Sequence, residues 1–376
     1  MSQTVMLSGN NLTVKLWEKK AWLQAMQRAV LGHAFDRGSI YFPEKLKGKD
    51  AVGDTVTFPY VGKLTGLPIG EGGTADGNEE ALDLENFSMV MNVSRLPVLN
   101  PNKDTIEQER TTVDFEVNTR KALMKRAVEL LDTSFFMQLA GCNPTSYTIN
   151  GTTYSTAAQL LHIQGQNTPV APTTNRQIWP NGWTNDQSLT SNDYMTLDLI
   201  DYALEKIDRS DQIIEPLEGD TYDLYVSPEQ LVDLQQNTTG KIQWFNIELA
   251  KIIGANKDNM IENRFMNKIV CAGKYRNVFI YSAPRVAFGV NSSTSAVITT
   301  VRRAVLVGAD AIAFGSPFGG RVTDTDVPVK FFFQLKDYDY YKGSEARLIY
   351  GMKKMSPSNK DDIGVMVIST YAAPHA

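Results

Sequence analysis

Histidine, cysteine and clustered carboxylates are the residue types that most often carry chemistry, and here they are sparse and scattered. His33, His162 and His375 are the only histidines, and none stands near a serine, cysteine or acid in a pattern that would pair a nucleophile with a base and an orienting carboxylate. The two cysteines, Cys142 and Cys271, lie far apart without CxxC spacing and read as reduced thiols rather than a disulfide or zinc framework. No HExxH and no GxxxxGK[ST] occurs, and GEGG (70–73) and GKYRN (273–277) lack the strand–glycine–helix setting of a phosphate loop. DGNEE (76–80) could hold a calcium ion loosely, but its order departs from a calcium-binding loop and suits a solvated hairpin tip. Asp310, Asp324, Asp326, Asp337 and Asp339 sit beside strand-like aromatics in DTDVPVKFFFQLKDYDYY, where charges protect an edge strand against wrong pairing. The expectation is no catalytic, cofactor or metal site; function must reside in surfaces.

The elements that would build those surfaces are legible. With 376 residues, 42% hydrophobic and 21% charged, the chain can bury a sizeable core in two or three domains. A net charge of −5 argues against an overall basic nucleic-acid binder. No apolar run approaches the roughly 18 residues of a membrane span, and MSQTVMLSGNN lacks the basic and apolar regions of a signal peptide. The expectation is a protein with no membrane contact that stays where it is made or leaves by lysis.

Residues 1–48 read as an N-terminal arm, with a helix near Val14–Leu31 and the cations Lys15, Lys19, Lys20 and Arg28. Residues 49–100 read as a long extended hairpin. Val56, Phe58 and Tyr60 alternate on its outgoing strand, and Phe87, Met89, Met91 and Val93 on its return. Two strands cannot bury a face alone, so this apolar face needs a partner, in the same chain or in a neighbour. Residues 101–141 read as a spine helix of about 36 residues, roughly 54 Å long. Thr105 and Gln108 are suited to a capping box, Gly141 to the stop, and Ile106, Val113, Val117, Met124, Val128, Leu131, Phe135 and Leu139 to an inward stripe. Residues 142–190 form a polar and aromatic insertion whose only charged residues are Arg176 and Asp186, expected to lie at a surface or contact.

From 190 onward the pattern is α+β: a helix over Asp193–Asp208 capped by Thr190, and a strand at Tyr222–Val226. Ser227, Pro228 and Gln230 then stand as N-cap, N1 and N3 of a helix. A further helix is expected at Gln243–Ile253. Strands are expected at Lys268–Ala272, Val278–Tyr281 and Arg302–Val307, then Ala346–Tyr350 and Gly364–Thr370 flanking a polar turn.

The order of arm, long hairpin, spine helix, α+β domain and return strands resembles the tailed-bacteriophage major capsid fold. YDLYVSPEQLVDLQ (222–235), IVCAGKYRNVFIYSAPRV (269–286), RAVLVGADAIAFG (303–315) and IYGMKKMSPSNKDDIGVMVISTYAA (349–373) are similar to segments of a capsid family of podovirus-like phages and prophages. The resemblance implies that 101–141 belongs to a peripheral domain, 191–325 forms an axial domain, and 326–376 returns to the peripheral sheet. It implies a non-enzymatic structural protein that self-assembles into pentamers and hexamers of an icosahedral shell around the genome. The shell would be part of the virion and assembled in the host bacterial cytoplasm. Partners would be further copies of itself, a separate scaffolding protein, a portal, a decoration protein, and nonspecific double-stranded DNA.

By the same resemblance Phe87, Met89, Met91, Val93, Leu67 and Ile69 of the hairpin would face a neighbouring subunit. Lys15, Lys19, Lys20, Arg28, Arg120, Lys121, Lys125 and Arg126 would face DNA. A cargo compartment of encapsulin type and a soluble enzyme or binding module are the alternative readings.

Overall fold

A computed structural model describes residues 29–41, 55–61, 64, 66–74, 76–81, 84–101, 106, 110, 115–210, 212–236, 271–316, 328–338, 340–357 and 361–375. In chain order they form α1 (Val30–Asp36), β1 (Ile40–Tyr41), β2 (Thr55–Val61), β3 (Leu84–Val90), β4 (Asn92–Pro101), α2 (Phe115–Leu139), β5 (Tyr147–Ile149) and β6 (Thr152–Tyr154). Then come α3 (Ala157–Ile163), β7 (Gln177–Ile178), α4 (Leu197–Asp208), β8 (Tyr222–Val226), α5 (Pro228–Gln236), β9 (Cys271–Tyr275), β10 (Val278–Ser282) and β11 (Phe288–Val290). β12 (Val297–Val307), β13 (Ile312–Gly315), β14 (Val329–Lys336), β15 (Tyr341–Lys354) and β16 (Val365–Tyr371) complete the fold. The expected arm helix Val14–Leu31 falls largely outside the described residues, and the expected helix Gln243–Ile253 entirely so.

Two mixed sheets organise these elements. The five-stranded sheet runs β1-β13-β15-β14, with β4 paired along β15 from Asn92↔Tyr350 to Pro101↔Tyr341. The seven-stranded sheet runs β7-β16-β12-β8-β10-β9, with β11 on β12. One apolar cluster joins α1, α2, Tyr225, Val305 and Val307 of the second sheet, and Ala346, Leu348 and Tyr350 of the first. A second cluster packs α4 against the other face of the seven-stranded sheet through Ile200, Leu204, Leu224 and Leu306. This is an α+β architecture.

Three sequence expectations need correction. First, the return strands do not stay together. β15 enters the five-stranded sheet, while β16 crosses to the other sheet and pairs with β12 over Val301↔Tyr371 to Val307↔Val365. β16 is buried on both faces as far as Thr370, so it reads as a continuous apolar run and needs cover on both sides. Second, residues 29–41, the described part of the expected N-terminal arm, belong to the core: Leu31 and Ala34 are fully buried and β1 pairs in parallel with β13. Third, Ile106 and Val117 of the expected spine stripe are exposed; the described helix spans 25 residues from Phe115, and Thr105, Gln108 and Val113 lie outside the described residues. The rest of the described stripe faces inward as expected: Met124 and Val128 pack against the core, and Leu131, Phe135 and Leu139 lie in it. Thr119, Leu123, Ala127 and Leu130 join them, and Leu131–Leu139 are buried all round.

Local chemistry explains where helices start and stop. α2 ends in a Schellman motif: Cys142 N–H donates to Met137 O at 2.9 Å, Gly141 N–H donates to Gln138 O, and Gly141 has φ +59°. A Cβ there would meet the Val170 carbonyl and Pro172. Gly141→Ala is therefore expected to lower stability by at least about 1–2 kcal/mol from the left-handed backbone alone. A urea midpoint unchanged from the native protein would contradict this. α5 begins with a reciprocal capping box, Gln230 N–H to Ser227 Oγ at 3.2 Å and Ser227 N–H to Gln230 Oε1 at 2.9 Å, as the sequence expects. α4 starts at Leu197 rather than Asp193, because Asp193 instead accepts from the Thr190 N–H and hydroxyl.

Candidate functional site

The polar side chains that approach one another in space form anchors rather than a reaction centre. His162 Nδ1 lies 3.0 Å from Ser94 Oγ, a serine–histidine contact invisible in sequence because 68 residues separate the pair. Ser94 is 2% exposed, and Gln166 contacts both members. Among the described residues no carboxylate bonds to either, so the pair is without the acid that would orient a base. His33 Nε2 stands 3.5 Å from the fully buried Asp223, beside the rings of Tyr225 and Tyr281, with no nucleophile bonded to it among the described residues. Among the described residues, no group of three or more His, Cys, Asp or Glu could hold a metal ion. Burial pushes the Cys142 thiol up to about 12, which keeps it protonated and unreactive. A cavity of about 210 Å³ is lined by Thr133, Tyr147, Asn150, Arg285, Phe288 and Arg302. Its two arginines are already neutralised, Arg285 by Glu129 at 3.3 Å and Arg302 by Glu229 at 3.6 Å.

The 142–190 insertion is stitched to the core by its two charges, while residues 151–153, 155–159 and 181–184 lie exposed at the surface, as expected. Asp186 Oδ2 accepts from Arg303 Nε at 2.8 Å and from Val290 N–H at 3.0 Å, while Oδ1 accepts from Trp179 Nε1 at 2.9 Å. Arg303 in turn donates to the carbonyl of Ala140 at the end of α2. Arg176 is buried, donates through Nη2 to Gln212 O, and is pushed down by desolvation. α3 carries its own capping box, Thr156 with Gln159. Asn167 bridges the insertion to the hairpin base, accepting from Val90 N–H at 2.8 Å and donating to Val90 O at 2.9 Å.

The hairpin's apolar face meets its own chain. Val56↔Met89 and Phe58↔Phe87 set the register of β2 and β3. Phe87 (4% exposed) and Met89 (0%) then bury against Ala313, with Val56 and Met355 packed around them. Lys353 spans the junction, donating to Ser88 O at 2.7 Å and lying 4.8 Å from the Phe87 ring centroid. Met91 is buried too, and Val93 is half-buried in β4 opposite Ile349. The continuous return strand of the sequence reading is thus two strands, because Met91 breaks the pairing and β4 turns to β15. Four of the six residues expected to face a neighbour are therefore at least half-buried within this chain. Leu67 (90% exposed) and Ile69 (44%) are not; with Leu64 and Leu84 they form an apolar tip facing solvent.

A second exposed apolar surface lies at the far end of the five-stranded sheet. β14 is buried at Val329 and Phe331, but beyond that Phe332, Phe333 and Leu335 are exposed, as are Tyr338 and Tyr340 of the following turn and Val98 and Leu99 of β4. Cations border it: Arg347 lies 4.1 Å from the Phe332 centroid, and Arg120 and Lys342 flank Phe333 at 4.8 and 5.3 Å. An Arg95–Glu345–Arg347 cluster crosses β4 and β15 and holds the Glu345 carboxyl down to about 2, chiefly through the Arg95 hydrogen bond.

The cations proposed to face DNA divide. Lys15, Lys19, Lys20 and Arg28 lie outside the described residues. On α2, Arg120 is held by Glu116 at 2.5 Å and Arg126 bonds Tyr154 and Glu129, whereas Lys121 and Lys125 are exposed. Among the described residues no helix is long and apolar enough to cross a membrane.

Comparison with known proteins follows the same lines. The family model described as "Phage capsid protein" matches residues 7–374. The capsid of Ralstonia phage GP4 is similar over 100% of both chains at 21% identity, with a TM-score of 0.70. The cyanophage Pam1 capsid matches over 90% of each chain at 17% identity and TM-score 0.61. The head of Helicobacter pylori bacteriophage KHP40 covers 89% of this chain and 87% of its own at 12% identity and TM-score 0.57. No curated protein matches the chain.

Proposed function

The chain belongs to the phage capsid protein family, and from that premise we propose that its hairpin tip is the part each subunit lends to its neighbour. The protein is a major capsid protein: a structural, self-associating component of the virion shell. The observation that carries the proposal is the contrast along one hairpin. Its base is buried within the subunit at Phe87 and Met89, while its tip exposes Leu67 and Ile69 to solvent. Exposed apolar residues on a projecting loop lose water only by meeting another surface.

Charge indicates which surface. Residues 64–85 carry Glu71, Asp76, Glu79, Glu80, Asp83 and Glu85 and no Lys or Arg. The aromatic end of the β14–β15 sheet is bordered by Arg120, Lys342 and Arg347, with Lys121 and Lys125 exposed on α2. Arg120 and Lys342 share Glu116, and Arg347 pairs with Glu345. It is therefore the exposed Lys121 and Lys125, on the same helix as Arg120, together with the aromatic surface, that complement an acidic, apolar-tipped loop. Such contacts run head to tail and close into rings of five and six. Residues 101–141 would serve the peripheral domain and 191–325 the axial one, with β13 and β16 exchanged between the two sheets relative to those boundaries.

The remaining partners are proposals from the same family reading: a separate scaffolding protein, a portal, a decoration protein, and double-stranded DNA met weakly and without sequence preference. The same reading has no catalytic role for the chain. Supporting it, Ser94 is buried and its contact with the half-buried His162 has no carboxylate partner among the described residues.

Electron microscopy of the expressed protein, alone and with its scaffolding protein, tests the reading. Closed shells of full-length chains are expected in the second case, with the intact mass near 41.8 kDa. A monodisperse monomer under both conditions, or shells built only from a truncated chain, would count against it.

A further inference from the structure

Segment 29–41 is gripped at both ends by carboxylates from other elements. α1 begins behind Ala29, whose side chain offers no acceptor to the first turn. The acceptor comes from Asp132 on α2, which takes the Leu31 N–H at 3.3 Å across 101 residues of sequence and also bonds the Val30 N–H. At the other end Arg37 donates to Asp223 on β8 at 3.1 and 3.3 Å and to Thr221 at 2.7 Å. β1 then pairs with β13. The segment thus bonds α2, the seven-stranded sheet and the five-stranded sheet in succession.

Asp132 is 8% exposed. The charged and titratable groups facing it are Arg285, which pairs with Glu129 at 3.3 Å, Glu129 itself on the preceding turn of α2, and Tyr225 of β8. His33 of α1 and Arg37 at its end are engaged elsewhere, both facing Asp223. Desolvation pushes the Asp132 carboxyl up to about 7, against the pull of the two backbone donors and Arg285.

We propose that segment 29–41 is a clasp across the two sheets, closed while Asp132 is neutral and loosened when it ionises. A neutral carboxyl still accepts the Leu31 N–H through its carbonyl oxygen, so the cap survives protonation. When the segment lifts away, Asp132 meets water and returns to a carboxylate pKa of about 4. The closed state therefore binds the proton more tightly. Its advantage is complete below about pH 4, shrinks as pH rises, and is gone above about 7, where both states are ionised.

Hydrogen exchange of the intact protein, read by mass spectrometry from pH 5 to pH 8 and corrected for intrinsic exchange, tests this. Opening of residues 29–41 is expected to rise by up to about tenfold per pH unit between pH 5 and 7, then level off, while β12 shows no such trend. Asp132→Asn keeps an acceptor oxygen but cannot ionise, so its profile should be flat. Protection of 29–41 that does not change with pH in the native protein would overturn the proposal. So would an unchanged profile in Asp132→Asn. Should that variant fail to fold, His33→Gln, which removes the imidazole of the segment, decides: a flat profile there would overturn the proposal and a retained one would support it.

Discussion

Joining Val61 directly to Ala81, which removes residues 62–80, is expected to yield soluble, folded protomers that do not close into shells. The deletion leaves Ala81, Leu82 and Asp83 between paired Val61 and Leu84, a loop length at which hairpins close readily. The buried base is untouched: Phe87 and Met89 keep Ala313 and Met355, and Asn167 keeps both bonds to Val90. What disappears is the exposed Leu67 and Ile69 and most of the tip's carboxylates. A shell rests on large interfaces repeated around every ring, so a defect in one contact is multiplied over all copies. Sedimentation and negative-stain images should show small species with native-like circular dichroism. Particles of normal size and number from the deleted protein would refute the assignment of the tip.

The second large effect is expected in the core. Asp186→Ala should cost about 3–5 kcal/mol, because it strands the Arg303 guanidinium in a site where water cannot replace the lost carboxylate. Arg303 is 8% exposed, and its remaining partners, the carbonyls of Ala140 and Gly141, carry no full charge. Trp179 Nε1 and Val290 N–H lose their acceptor at the same time. Asp186→Leu combined with Arg303→Met is expected to cost clearly less than the sum of the two single changes, since no charge is left unpaired. Urea unfolding of the soluble tip-deleted protomer separates this effect from shell disassembly. A loss below about 1 kcal/mol for Asp186→Ala would show that the pair contributes little.

Several elements were legible from neighbouring residues alone. Strand Tyr222–Val226 and the Ser227–Gln230 cap appear where the pattern places them, and Gly141 ends α2 as expected. The candidate surface was half legible: Leu67 and Ile69 are exposed as a projecting tip requires, but Phe87, Met89 and Met91 have the same alternation and are buried at home. Alternation reveals that a strand has an apolar face, not which surface covers it. The spine helix was legible from Met124 to Leu139, where the expected stripe packs in or against the core. It was not legible at its start, where Thr119 is buried and Val117 is exposed, because a polar residue carries no apolar signal.

By itself, then, the sequence determined the α+β class, the element types over most of the described chain, the helix ends at Gly141 and Ser227, and the family resemblance. Those properties depend on contacts within a turn or two of each residue, so local spacing carries them. Only the tertiary structure decided that β16 joins β12, that β4 leaves the hairpin for β15, that Asp186 meets Arg303 across 117 residues, and that Asp132 caps a helix on a distant segment. Strand partners and buried ion pairs are selected by how the whole core closes, and no local pattern encodes which of several apolar edges or charges will be the one that fits.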